Sequence, residues 1–187
     1  MLNLQTFLQK PVEMESIENY KINFAKLKQG VHEYAYSPGD DFFANYENSL
    51  VTKCQSKVFV TLDKQKETLF TLFFSINATV KLQCDRCLDG YDYPFKEEYR
   101  LIVKLKDEET DEKDEELIIL NKNEDEINIA QYLYEFINLS VPMKKTCEDV
   151  NKDCNPEIIN ILNEHQADQE QIDPRWEKLK KFYKNNN

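Results

Sequence analysis

The chain contains little glycine and little histidine. Only Gly30, Gly39 and Gly90 occur among its 187 residues, so it can build neither a phosphate-binding P-loop nor a glycine-rich dinucleotide fingerprint. The two histidines, His32 and His165, belong to no His-Glu-x-x-His step, and no Gly-x-Ser-x-Gly elbow is present. No recognisable nucleophile and base pair remains. The sequence therefore predicts a protein that is not an enzyme.

Long apolar runs are also missing. No stretch approaches the roughly 20 apolar residues that are needed to cross a bilayer. The first eleven residues have neither a cationic start nor a small-residue cleavage site of a signal peptide. We therefore expect a soluble, cytoplasmic protein with no membrane partner. A secreted protein held by disulfides is not favoured, because disulfides need an oxidising compartment.

Positive charge is scarce. Lysine and arginine number 24 against 35 aspartates and glutamates, which gives a formal net charge of −11. A protein that binds polyanions nonspecifically needs a surplus of cations where it meets them. Any contact with nucleic acid must therefore use a local patch. Much of the acidic excess lies in residues 107–116, which should form a solvated loop.

Four of the five cysteines form two clusters. Cys84 and Cys87 make a Cys-x-x-Cys step, and Cys147 and Cys154 form a second pair with six residues between them. Four thiolates are a preferred ligand set for a tetrahedral, structural zinc ion, although two to four residues are the usual gap. A disulfide framework and a redox Cys-x-x-Cys are the alternatives, and the turn-like Leu88-Asp-Gly that follows does not favour the second. Cys54, the fifth cysteine, lies in an apolar strand pattern and is expected to be buried.

The middle of the chain predicts an antiparallel sheet. Every second residue is apolar from Phe70 to Leu82 and again through most of Tyr93–Leu105, so the two runs should pair as a hairpin with Cys84 and Cys87 at its tip. Three further strands are expected, around 50–62, at 117–120 and near the N-terminus. The fold class is α+β, with a sheet of about five strands that can curl into an open barrel.

Helices are expected mainly in the C-terminal third. Asn128 can cap a helix from Ile129 to about Leu139, and a second helix should begin at Pro156. Asp173-Pro174 reads as the start of a terminal helix. We divide the chain into an N-terminal segment (1–49) packed on the main domain, a β-rich body with the cysteine hairpin (50–165), and a linker with the C-terminal helix (166–187).

Four sequence features together resemble the bacterial YceD family. They are Leu82-Gln-Cys-Asp-Arg-Cys-Leu88, the acidic insertion after it, the segment Asn128–Met143, and the terminal Asp173-Pro-Arg-Trp176. The resemblance covers roughly Leu50 to the C-terminus. It implies a role in the accumulation of large-subunit ribosomal RNA. It also places the family's second cysteine pair, which follows a Val-Pro segment, at Cys147 and Cys154.

Two functional hypotheses follow. In the first, a zinc-stapled hairpin presents cations to precursor ribosomal RNA or to the assembling large subunit, and these contacts position the RNA without reading its sequence. In the second, the chain is an adaptor that binds a partner protein without touching RNA, through the aromatic stripe of its terminal helix and its acidic loop. The residues expected to make the RNA or partner contacts are Arg86, Lys144, Lys145, Lys152, Arg175 and Trp176.

Overall fold

A long hairpin organises the fold of the chain, as seen in a computed structural model that describes residues 17–47, 49–107 and 117–165. Strands β4 (Leu69–Gln83) and β5 (Gly90–Lys106) are antiparallel, and Gln83 pairs with Gly90 where the hairpin turns. The predicted hairpin is confirmed, with Cys84 and Cys87 in its turn. The residues predicted to form the terminal helix, Arg175 and Trp176 among them, and nearly all of the predicted acidic loop lie outside the described residues.

Five strands form the main sheet, in the order β2-β3-β4-β5-β6. Strand β2 spans Gly30–Tyr36, β3 spans Cys54–Lys66 and β6 spans Leu117–Asn121. Their antiparallel pairing was predicted and is confirmed for β2 through β5, but β6 runs parallel to β5, so the prediction of a wholly antiparallel sheet was wrong. The described strands do not close into a barrel, and curling into an open barrel stays a prediction.

The N-terminal residues contribute a second, smaller sheet. Strand β1 (Lys21–Ile22) pairs with β7 (Ile127–Asn128) and is only two residues long. Helix α1 (Asp40–Phe43) follows β2 and buries both of its phenylalanines. The Asp40 side chain accepts a hydrogen bond from the backbone N–H of Cys54 at 2.8 Å, which fixes the start of β3.

The core lies on one face of the main sheet, beneath helix α2 (Ala130–Leu139). The helix buries Leu133, Phe136 and Ile137, together with Ile129 just before it, and the Phe136 ring meets that of Phe74 edge-on at 5.2 Å. The helix begins one residue later than expected, and the Asn128 side chain accepts from the Ala130 N–H at 2.9 Å, as a capping side chain does.

A buried lysine fastens the turn after β1 to the sheet. The Lys64 ammonium donates to the carbonyl oxygens of Phe24 at 3.2 Å and Leu27 at 3.0 Å, and to the Glu67 carboxylate at 3.0 Å. Only 1% of its side chain is exposed. All three donor positions of the ammonium therefore have acceptors, which is the condition under which a buried lysine is tolerated.

Helix α3 (Pro156–Glu164) is the last described element, and it begins where the sequence predicted. The Asn155 side chain caps it by accepting from the Glu157 N–H at 3.1 Å. Among the described helices, none has the length and apolar character that a bilayer span requires.

Candidate metal centre

The turn of the hairpin places two sulfurs on the same side of the chain. The Leu88 N–H donates to the Cys84 carbonyl at 2.9 Å, and the Cys84 N–H donates to the Asp89 carbonyl at 2.9 Å. Leu88 takes a left-handed conformation with φ 63, which reverses the chain immediately after Cys87. The Arg86 N–H points at the Cys84 sulfur from 3.4 Å. This backbone arrangement stabilises negative charge on that sulfur.

The second cysteine pair is brought together by a short 3-10 helix. Cys147–Val150 forms one turn, closed by a capping box in which Thr146 and Asp149 exchange side-chain and backbone hydrogen bonds. Asn151 then takes a left-handed conformation, and the Lys152 N–H donates to the Cys147 carbonyl at 3.0 Å. The chain thus turns back on itself between Cys147 and Cys154. The unusual six-residue gap accommodates one helical turn and this reversal.

The four sulfurs converge on one point. All the sulfur atoms of Cys84, Cys87, Cys147 and Cys154 lie within 4.8 Å of one another. The Cys84 and Cys154 sulfurs are 3.8 Å apart, and those of Cys87 and Cys147 are 3.6 Å apart. A tetrahedron with zinc–sulfur distances of about 2.3 Å has edges of about 3.8 Å. The geometry therefore fits a tetrathiolate metal ion, and four protein ligands leave no coordination position for a substrate.

Burial and hydrogen bonding shift the pKa values of the clustered thiols in different directions. Although burial raises it, hydrogen bonds from the backbone N–H groups of Cys87, Arg86 and Cys147 lower the pKa of the Cys84 thiol to about 6. Burial and the neighbouring sulfurs raise the pKa of the Cys147 thiol to about 12, and burial also raises the pKa of Cys154. The surroundings thus favour the thiolate of Cys84 over the thiolates of Cys147 and Cys154. A bound cation would compensate the charge and release the other protons.

Polar contacts around the sulfurs join the hairpin tip to the later segment. The Asp85 N–H donates to the Lys145 carbonyl at 2.7 Å, and the Asp85 carboxylate accepts from the Lys145 N–H at 2.8 Å. The Tyr91 hydroxyl donates to the Asp149 carboxylate at 3.2 Å. Sequence reasoning missed these contributions. The Thr146-x-x-Asp149 spacing was the one available signal, since it is typical of a capping box.

The predicted contact cations have different surroundings. Arg86 forms an ion pair with Glu148 at 2.6 Å, and Lys145 lies 3.7 Å from the Asp85 carboxylate. Lys144 and Lys152 are exposed beside them. Within residues 84–89 and 144–154, five acidic residues outnumber these four cations. The surface around the cysteines is therefore not electropositive.

The fold and the cysteine cluster define an α+β protein whose hairpin tip is joined to a later segment by four thiols that can hold a metal ion. A family model described as "Large ribosomal RNA subunit accumulation protein YceD" matches residues 72–183, a range that includes all four cysteines. The chain belongs to the YceD family, which confirms the resemblance noted in its sequence. A search of curated proteins and a search of solved structures each gave no significant match.

Proposed function

We propose that this chain is a non-catalytic factor that supports the accumulation of large-subunit ribosomal RNA during ribosome assembly. Membership of the YceD family supports the process. We further propose that the metal is zinc, bound by Cys84, Cys87, Cys147 and Cys154. The single observation that supports this metal role best is the convergence of four sulfurs within 4.8 Å.

Zinc would act as a staple in this proposal. The tip of the β4–β5 hairpin and residues 144–154 are distant in sequence, and of the later segment only Cys147, Val150 and Cys154 pack on the core. A closed tetrathiolate site supplies folding free energy without chemistry. The ion would hold four cations at one end of the sheet, where they can contact RNA or a partner protein. These cations are Arg86, Lys144, Lys145 and Lys152. Arg175 and Trp176 belong to the same proposed contact set, from the chain beyond α3.

A genetic complementation experiment tests this role. In a strain that lacks the chain, the wild-type protein and a Cys54→Ala variant should restore the ratio of large- to small-subunit ribosomal RNA. A Cys84→Ser/Cys87→Ser variant should not restore it, because the staple is lost. Cys54 is the matched control, since it is the one cysteine outside the cluster and is buried in the core. Full rescue by the double variant would contradict the proposed role of the metal centre.

A protein adaptor is the second candidate, and the charge around the cysteines favours it there. Two of the four nearby cations are engaged by carboxylates, and a tetrathiolate zinc site adds further negative charge. Such a surface suits a basic partner protein better than a phosphate backbone. Co-sedimentation with assembling large subunits separates the two candidates. RNase treatment abolishes co-sedimentation if the tether is RNA and leaves it intact if the tether is protein.

A further inference from the structure

The outer face of the main sheet, opposite the core, carries two exposed aromatic rings. Along β3, β4 and β5 the side chains alternate, with one set buried and the other open to solvent. Most outward positions hold polar residues, but Phe59 is 59% exposed and Phe73 is 45% exposed. Large aromatic rings at solvent-facing strand positions need an explanation when they occur together.

The two rings are neighbours on this face. Phe59 of β3 lies opposite Ser75 of β4, and Phe73 of β4 lies opposite Thr61 of β3. The phenylalanines are therefore diagonal neighbours across the strand pair, where backbone positions are about 7–8 Å apart. The face therefore offers two flat apolar surfaces side by side.

Cations surround the rings. Lys57 and Lys96 flank Asn77 from the two neighbouring strands, and Arg100 lies opposite Phe73. Cations outnumber carboxylates at the outward positions of β3–β5, in a chain whose net charge is −11. The cations there include Lys57, Lys81, Lys96, Arg100, Lys104 and Lys106, and the carboxylates are Asp63, Asp92 and Glu98. This surplus contrasts with the acidic surroundings of the cysteines.

We propose that this outer sheet face binds single-stranded RNA, with bases stacked on Phe59 and Phe73 and phosphates beside Lys57, Lys96 and Arg100. Stacking of bases on exposed aromatic rings within a cationic surface is how sheet-based modules hold single strands without strict sequence preference. Hydroxyl and amide side chains between the rings, such as Ser75 and Asn77, can bond to exposed base edges. The inference rests on the proposed function, and it places the RNA contact on the sheet and not at the metal centre.

Fluorescence anisotropy of the full chain with a labelled single-stranded oligouridylate tests the proposal. We expect Phe59→Ala and Phe73→Ala each to weaken binding about fivefold or more, since stacking is worth about 1–3 kcal/mol per base. Three phosphate contacts predict a slope of about −2 in a plot of log affinity against log salt concentration. Lys57→Gln/Lys96→Gln should reduce this slope by more than half. An RNA duplex of the same length should bind more weakly, because its bases cannot stack on the rings.

A matched control carries the same charge change elsewhere. Lys26→Gln/Lys28→Gln alters two exposed lysines in the turn that Lys64 fastens on the opposite side of the sheet, and it should leave affinity unchanged. If both phenylalanine variants bind as the wild type does while the Cys84→Ser/Cys87→Ser variant loses binding, the face is wrong and the proposed function stands. If the wild type binds no RNA at low salt, direct RNA contact itself fails. A fall of more than about 5 °C in the melting temperature of Phe59→Ala would show that the ring is covered in the folded chain and would overturn the proposal.

Discussion

Removing the metal should release residues 144–154 while the main sheet stays folded. Most of the core beneath α2 is built from side chains of β3, β4, β5 and α2, and the buried Cys84, Cys87 and Cys147 are a small part of it. The segment that carries Cys147 and Cys154 is different, because only Cys147, Val150 and Cys154 of residues 144–154 pack on that core, and polar contacts supply the rest of its attachment. Chelation should therefore open one end of the molecule locally.

The magnitudes support a local opening. Four hydrogen bonds join the tip to the segment, beside the longer Lys145–Asp85 ion pair: two between Asp85 and Lys145, one from Arg86 to Glu148 and one from Tyr91 to Asp149. At about 1 kcal/mol each they contribute about 4 kcal/mol. Ordering the backbone of 144–154 costs about 1–2 kcal/mol per residue, or roughly 11–22 kcal/mol. Binding of a structural zinc ion contributes about 10–16 kcal/mol, which offsets most of the difference.

Hydrogen exchange with and without a strong chelator measures this opening. After chelation, the amide hydrogens of Asp85, Lys145 and Lys152 should exchange within seconds to minutes. The amide hydrogens of β4 around Phe74 should keep their protection. Loss of protection across the whole sheet would refute the reasoning, because the metal would then hold the core. Unchanged protection at Lys145 would also refute it, since the polar contacts alone would then hold residues 144–154 in place without the metal.

Three further predictions concern single side chains. Lys64→Met should lower the unfolding free energy by about 2–3 kcal/mol in denaturant titrations, because two carbonyl oxygens lose their donor. The control is Lys66→Met at an exposed position, which should change the unfolding free energy by less than about 0.5 kcal/mol. Leu88→Gly should raise unfolding free energy by about 0.5–1 kcal/mol, since φ 63 is strained for leucine and its side chain is 65% exposed; a lower melting temperature would show that the leucine side chain contributes packing. Burial raises the pKa of Cys54 from its ordinary 9.0 to about 12, so the folded chain keeps a proton that the unfolded chain loses. Stability should therefore fall as pH rises above about 9, and the difference in unfolding free energy between wild type and Cys54→Ala should shift by about 1.4 kcal/mol between pH 8 and pH 10. A pH-independent difference would contradict the raised pKa.

Alternation in the sequence was sufficient to predict the hairpin and the face of each strand that is buried. From Phe70 to Leu82 the pattern has period two, and a one-residue slip would expose the whole apolar set. Strand direction carries no such signal, which is why the parallel pairing of β6 with β5 was not foreseen. A run of four apolar residues at 117–120 pairs equally well in either direction, and the connecting chain decides.

The four cysteines of the cluster could be predicted from the sequence, but the residues that surround them could not. Spacing brought Cys84 and Cys87 together, because a two-residue gap on a tight turn leaves few alternatives. Contact partners such as Glu148 for Arg86 depend on how the second segment folds back, and nothing in the local sequence fixes that. The partners of Lys64 could not be predicted either, because its two carbonyl acceptors come from a turn about 40 residues earlier in the chain.

Metal analysis of protein purified without chelator tests the central claim most directly. The proposed centre predicts one zinc ion per chain, a zinc–sulfur distance of about 2.3 Å by X-ray absorption, and loss of the ion in Cys147→Ser but not in Cys54→Ala. A fully folded wild-type chain that contains no metal, or in which Cys84 and Cys87 are cross-linked to Cys154 and Cys147 as stable disulfides, would contradict it.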